Sequence, residues 1–146
     1  MKAGIFLTST ELLDDSIFEK AVVFITEYND KGAVGFMINK PFSRNFNELE
    51  EFRHSPALPM YEGGPVDQEH LYFIHRRPDL IQGGTPVANG IFWGGDFKET
   101  VRLINNNTLT EKDIRLFIGY CGWNTGELDA EVEEGSWKLS ETGDLL

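Results

Sequence analysis

The sequence predicts an α+β fold in a single domain, on three observations. Its 146 residues are enough for one hydrophobic core and too few for two comfortable ones. Runs rich in β-branched and aromatic residues recur along the chain, separated by turns containing glycine and asparagine. Further along, Asp96 stands three residues before Glu99 in a capping-box-like start, followed by an apolar stripe at helical spacing.

Ile5 to Thr8 has the composition of a short strand, and Ser9 to Ser16 is polar and acidic, as a loop or single turn is. Ala21 to Tyr28 and Ala33 to Asn39 flank Asn29-Asp30-Lys31-Gly32. Turn residues ending in glycine between two such runs predict an antiparallel hairpin, and the nearly continuous apolar middles predict that both its faces are covered. Pro41 ends the second strand because it cannot donate to a ladder. Asn47 to Phe52 reads as a short helix capped by Asn45 or Asn47, and Arg53 to Pro59 as a loop.

Met60 to Gly63 and Leu71 to His75 read as two short strands around Gly63-Gly64-Pro65-Val66, and Arg76 to Asn89 as irregular. Ile91 to Trp93 is a strand, and a helix then runs from Asp96 to about Asn105 with Phe97, Val101 and Ile104 inward. After a turn at Thr110 to Asp113, Ile114 to Tyr120 reads as a central strand. An aromatic turn and an acidic helix through Glu127 and Glu131 then close at Gly135, before Trp137.

Composition excludes several functions. Thirteen basic against 24 acidic side chains give a formal charge of −11, a field that repels phosphate backbones and anionic lipid surfaces. The basic residues are dispersed, with Arg76-Arg77 the only adjacent pair, so neither direct nucleic-acid binding nor a membrane partner is expected. No window approaches the ~18 uninterrupted apolar residues of a membrane span. Ala3 to Leu7 is too short for a signal-peptide core, so a cytoplasmic location is expected. The lone Cys121 excludes an intramolecular disulfide and a multi-thiolate metal site.

Four motifs in order carry a resemblance. Asp15-Ser16-Ile17-Phe18 precedes a hydrophobic strand; Gly32-Ala33-Val34-Gly35-Phe36-Met37-Ile38-Asn39-Lys40-Pro41 follows it. Gly63-Gly64-Pro65-Val66 comes next, then Gly119-Tyr120-Cys121-Gly122-Trp123 with Gly126-Glu127-Leu128. From Gly4 to Leu146 the chain resembles the YqgE/AlgH family of bacterial proteins. The resemblance implies antiparallel strands curled into a partly open, barrel-like sheet with a few short helices packed outside. The family name refers to a proposed role in regulating alginate production, and the resemblance brings no catalytic residues with it. Cys121 stands where many relatives have alanine, and relatives commonly continue past Leu146 with a helical tail, so a short or truncated form is implied.

Candidate chemistry is sparse. Glu127 and Glu131, spaced i and i+4, share a helix face and could hold a divalent cation or meet a basic partner, although a solvated outer face is the default for such a charge run. Cys121 follows a strand with no histidine near in sequence, which favours a buried small hydrophobe over a nucleophile. His54, His70 and His75 lack metal-ligand spacing. No phosphate-loop, dinucleotide or nucleophile-elbow motif occurs, so no cofactor is expected. Asn39 at a strand end binds either neighbouring backbone or a ligand, and backbone is favoured.

The reading that follows is a non-catalytic cytoplasmic binding or regulatory domain, linked to transcriptional regulation without touching DNA, with a protein partner or small ligand. Asn39, Gly63, Gly64, Trp123, Glu127 and Glu131 are its candidate contact residues. The alternative is a small metal- or carboxylate-dependent enzyme with a cleft near Asn39, Gly63-Gly64 and Trp123.

Overall fold

The chain's apolar runs assemble into one mostly antiparallel sheet of nine strands, seen in a computed structural model that describes all 146 residues. In chain order the strands are β1 (Phe6–Ser9), β2 (Val22–Asn29), β3 (Gly32–Met37), β4 (Met60–Glu62), β5 (Val66–His75), β6 (Thr85–Ala88), β7 (Ile91–Trp93), β8 (Ile114–Asn124) and β9 (Trp137–Ser140). Helix α1 (Phe97–Asn105) follows β7, and α2 (Glu127–Glu133) lies between β8 and β9. The spatial order is β6-β7-β5-β8-β3-β2-β1-β9, with β4 added beside β8. No helix is long and apolar enough to cross a membrane.

β8 is the spine. One of its edges pairs with β5; the other meets β4 through Leu116 to Ile118 and then β3 through Cys121 to Asn124. The β4 contact is parallel and every other strand pair is antiparallel. β6 and β9 each have a single neighbour, so the curled sheet does not close. Residues beyond β9 return to this opening: Leu145 is buried among Phe6, Phe24 and Ile91, and Arg76 donates to the main-chain oxygen of Leu146 at 3.0 Å.

The core divides by face, because successive strand side chains point opposite ways. Leu7, Val23, Ile25, Met37, Cys121 and Trp123 pack under Leu128 of α2 and Trp137 of β9. Phe6, Phe24, Phe36, Ile74 and Phe117 fill the concave side, where Phe36 stacks on Phe117 at 4.7 Å between ring centroids. Phe73, Ile114, Leu116 and Ile118 pack against Leu103 and Ile104 of α1.

The β2–β3 hairpin forms as expected, with Val23 to Thr26 all buried. Four expectations are corrected. The expected helix at Asn47 to Phe52 is two 3-10 turns, Phe46–Glu48 and Glu50–Phe52, because Leu49 between them is extended (φ −77°, ψ 132°). β5 begins at Val66 instead of Leu71, its polar first half having masked the strand. Arg76 to Asn89 contains β6, whose Pro86 is tolerable on an edge strand. β8 does not stop at Tyr120, since Cys121 to Asn124 continue it opposite β3, and the turn comes at Thr125-Gly126.

That continuation depends on close backbone contact. A Cβ on Gly63 would lie 2.3 Å from the Gly119 carbonyl oxygen, and one on Gly64 would lie 2.2 Å from the Tyr120 carbonyl. Gly119 itself has φ 72°, a conformation that L side chains disfavour. Gly64→Ala is therefore expected to destabilise the fold by about 1–3 kcal/mol or more through backbone displacement. Gly122→Ala, whose Cβ would first meet the Tyr120 ring at 3.3 Å, should change stability far less. Urea unfolding midpoints of the two variants check this.

Candidate functional site

A groove of about 790 Å³ lies between the two 3-10 turns and the first half of β5. Its lining includes Phe42, Leu49, Phe52, Leu71, Phe97 and Ile118 as apolar surface, with Arg44, Glu50, Glu51, Gln68, Glu69 and His70 as polar members. The turn wall is held rigidly: the Glu48 carboxylate accepts the Asn45 backbone N–H at 3.0 Å, and fully buried Phe46 stacks on Phe52 at 4.4 Å. Phe52 then meets Phe97 of α1 edge-on at 5.9 Å. Asp96 caps that helix by accepting the Glu99 N–H at 3.1 Å.

The β5 wall is irregular for a physical reason. Val66 pairs with Tyr120 and Leu71 with Ile118, so the intervening β5 residues bulge away from β8. Asp67 occupies the left-handed region there (φ 53°). Its carboxylate gathers two partners: His70 Nδ1 lies 2.6 Å from Oδ1, and the Tyr72 hydroxyl donates to Oδ2. Tyr72 in turn packs edge-on against Tyr120 at 5.5 Å.

Each member shifts the others. The Tyr72 hydroxyl and the His70 ring hold Asp67 below the usual carboxylate range, while the hydrogen bond to Asp67 raises His70. Burial, aided by Asp67, pushes the Tyr72 hydroxyl up to about 12. With Nδ1–H engaged by the carboxylate, Nε2 is the free nitrogen of His70, the arrangement of a general base or a pH-tuned hydrogen-bond donor. A thiol nucleophile is not at hand: Cys121 is buried, its Sγ donates to the Gly63 carbonyl at 3.3 Å, and burial pushes it up to about 12. His75 is likewise buried, with Nδ1 accepting the Arg77 N–H at 3.1 Å and Nε2 3.0 Å from the Gly94 oxygen.

The residues expected from sequence to make contacts lie elsewhere. Asn39 bridges backbone, its Oδ1 accepting from Val22 N at 2.9 Å and its Nδ2 donating to Lys20 O at 2.8 Å. Gly63 and Gly64 are buried against β8. Trp123 pairs with Ala33 at the other end of β3, about 20 Å along the strand from Asn39. Those two therefore do not share a cleft.

Trp123 and Glu131 do meet. Oε1 of Glu131 accepts the indole N–H groups of both Trp123 (3.2 Å) and Trp137 (3.0 Å), and the rings sit edge-on at 6.2 Å. Glu127 is exposed and accepts from the Asn124 amide at 2.8 Å. The i, i+4 pair is thus divided between an indole clamp and a surface contact with Asn124. Asp67, His70 and Tyr72 escaped sequence reading because the signal, Asp-x-x-His-x-Tyr, lies in a stretch with no strand alternation.

Asp67→Asn is expected to lower the His70 titration midpoint, read by NMR. His70 is raised in the folded chain, so the coupling favours folding at acid pH and fades as pH rises through the His70 midpoint; the variant should lose that acid-side dependence. Glu131→Ala should cost about 1–3 kcal/mol by leaving two indole donors unpaired, measured by urea unfolding.

A family model described as AlgH-like matches residues 6–145. A UPF0301 protein of Pelodictyon phaeoclathratiforme is 37% identical over 148 residues, covering 97% of this chain and 75% of that protein. A second, from Chlorobium luteolum, is 38% identical over 141 residues with the same coverage. The solution structure of AlgH from Pseudomonas aeruginosa is similar at a TM-score of 0.79 and 26% identity, covering 98% of this chain and 79% of that one. A Corynebacterium diphtheriae crystal structure, at 20% identity and a TM-score of 0.78, shares the fold. On the family match, the sequence relatives and the shared architecture, the chain belongs to the AlgH-like family.

Proposed function

We propose that this chain is a non-catalytic binding domain of the cytoplasm, acting in a regulatory pathway, and that its groove receives an extended segment of a partner protein. The observation that carries the reading is the groove's place beside an unpaired strand edge. β7 pairs only with Ile74 and His75 of β5, so residues 67–72 have no strand partner on the side away from β8. An extended peptide laid there would pair with that free edge and sink alternate side chains onto Leu49, Phe52 and Leu71.

The chemistry of the partner follows from the rim. Glu50, Glu51 and Glu69 outnumber Arg44 and His70 in the lining of the groove, in a chain of net charge −11, which favours a segment carrying lysine or arginine between its apolar residues. The same charge disfavours direct contact with DNA. A carboxylate- or metal-dependent enzyme centred on Asn39, Gly63-Gly64 and Trp123 has weaker support, because the Asn39 amide and both glycines are engaged with backbone.

An array of extended peptides alternating apolar with either basic or acidic residues tests the reading. Basic members should bind with micromolar dissociation constants and slow amide exchange at residues 67–72, and exposed Glu50→Lys with Glu51→Lys should weaken them at least about fivefold. Equal binding of the acidic series, or no protection of those amides, would overturn it.

A further inference from the structure

Arg115 is a basic residue held within the sheet by contacts other than an ion pair. It is half-buried on β8 with its guanidinium carbon 4.5 Å from the centroid of the Tyr61 ring, and one nitrogen donates to the Ile38 carbonyl at 3.2 Å. Arg77 and Arg102 each have a carboxylate partner, at 2.9 and 2.5 Å, whereas no Asp or Glu lies within 4.0 Å of Arg115. Burial pulls the pKa of this guanidinium down, and the Glu111 carboxylate offsets that in part from beyond ion-pair distance.

Arg115 lines a cavity of about 330 Å³. Lys112 and Glu111 line it too, and Leu58, Pro59 and Leu116 contribute apolar wall. We propose that this cavity binds a small organic anion, a carboxylate or phosphate monoester carried on a compact apolar body. Stacking on Tyr61 and the bond to Ile38 fix the guanidinium plane in advance, leaving donors for a two-point contact with an oxyanion. Arg115 and Lys112 supply the cationic groups of the lining, which Glu111 and Leu146 also border. The volume sits at the low end of ligand pockets, enough for one ring or a short chain and too small for a nucleotide. No lining residue is shared with the β5 groove, so this site stands or falls independently of the proposed function.

Titrations with benzoate, phenyl phosphate, inorganic phosphate and benzamide, followed by NMR at the Arg115 Nε–H and the Tyr61 and Leu116 amides, test the proposal. At least one organic anion should give saturable shifts with a dissociation constant below about 10 mM, and inorganic phosphate and benzamide should bind at least about threefold more weakly. The tighter of benzoate and phenyl phosphate identifies the oxyanion class. Arg115→Met should abolish the shifts. Lys112→Ala, at an exposed position that leaves the fold intact, should weaken binding about two- to fivefold. Benzamide or inorganic phosphate matching the organic anions, unchanged affinity in both variants, or no saturable shift with either organic anion would overturn it.

Discussion

The architecture depends on a backbone contact that no side chain could share. Gly63 and Gly64 lie against the carbonyls of Gly119 and Tyr120, where a Cβ would come within 2.3 and 2.2 Å of them. The contact falls where β8 exchanges β4 for β3 along one edge. Because the backbones touch, β8 can serve both halves of the sheet without a break, and Cys121 and Trp123 reach the core beneath α2. A methyl group there would separate β4 from β8, and the concave side and the α1 side of the core would lose their common wall.

Much of this was legible in the sequence, and the failures share a cause. The β2–β3 hairpin, β7 and α1 were readable because each follows its own local rule: a turn tetrapeptide, an apolar run ended by glycines, and a cap with a stripe. The two halves of β5 and β8 that were missed follow no local rule. Val66 to His70 is exposed and bulged, and Cys121 to Asn124 contains a glycine and ends in a polar residue, so tertiary pairing overrides composition in both. Helix expectation failed at Leu49 because two successive 3-10 turns present the same apolar spacing as one short α-helix.

The same division governs the functional residues. Asn39, Gly63, Gly64, Trp123 and Glu131 are prominent in sequence because they solve structural problems: capping a strand end, permitting close approach, and joining two indoles through one carboxylate. Asp67 and Arg115 were silent in sequence and His70 was weighed only as a metal ligand, since the interest of all three arises from what the fold sets beside them. A carboxylate on a left-handed residue beside a histidine, and a stacked guanidinium with no carboxylate within 4.0 Å, are facts of assembly.

The pairing of β1 with β9 ties Phe6 to Ser140 and Ser9 to Trp137, so the sheet joins residues 128 to 134 positions apart. During synthesis β1 emerges early and can pair with β2, but its other edge has no partner until β9 leaves the ribosome. Such a non-local closure slows folding, because a long loop must be ordered before its contacts form. The nascent chain therefore carries an open edge from the making of β1 until β9 emerges, and β1 ends in Thr8 and Ser9 where a longer apolar strand would invite wrong pairing.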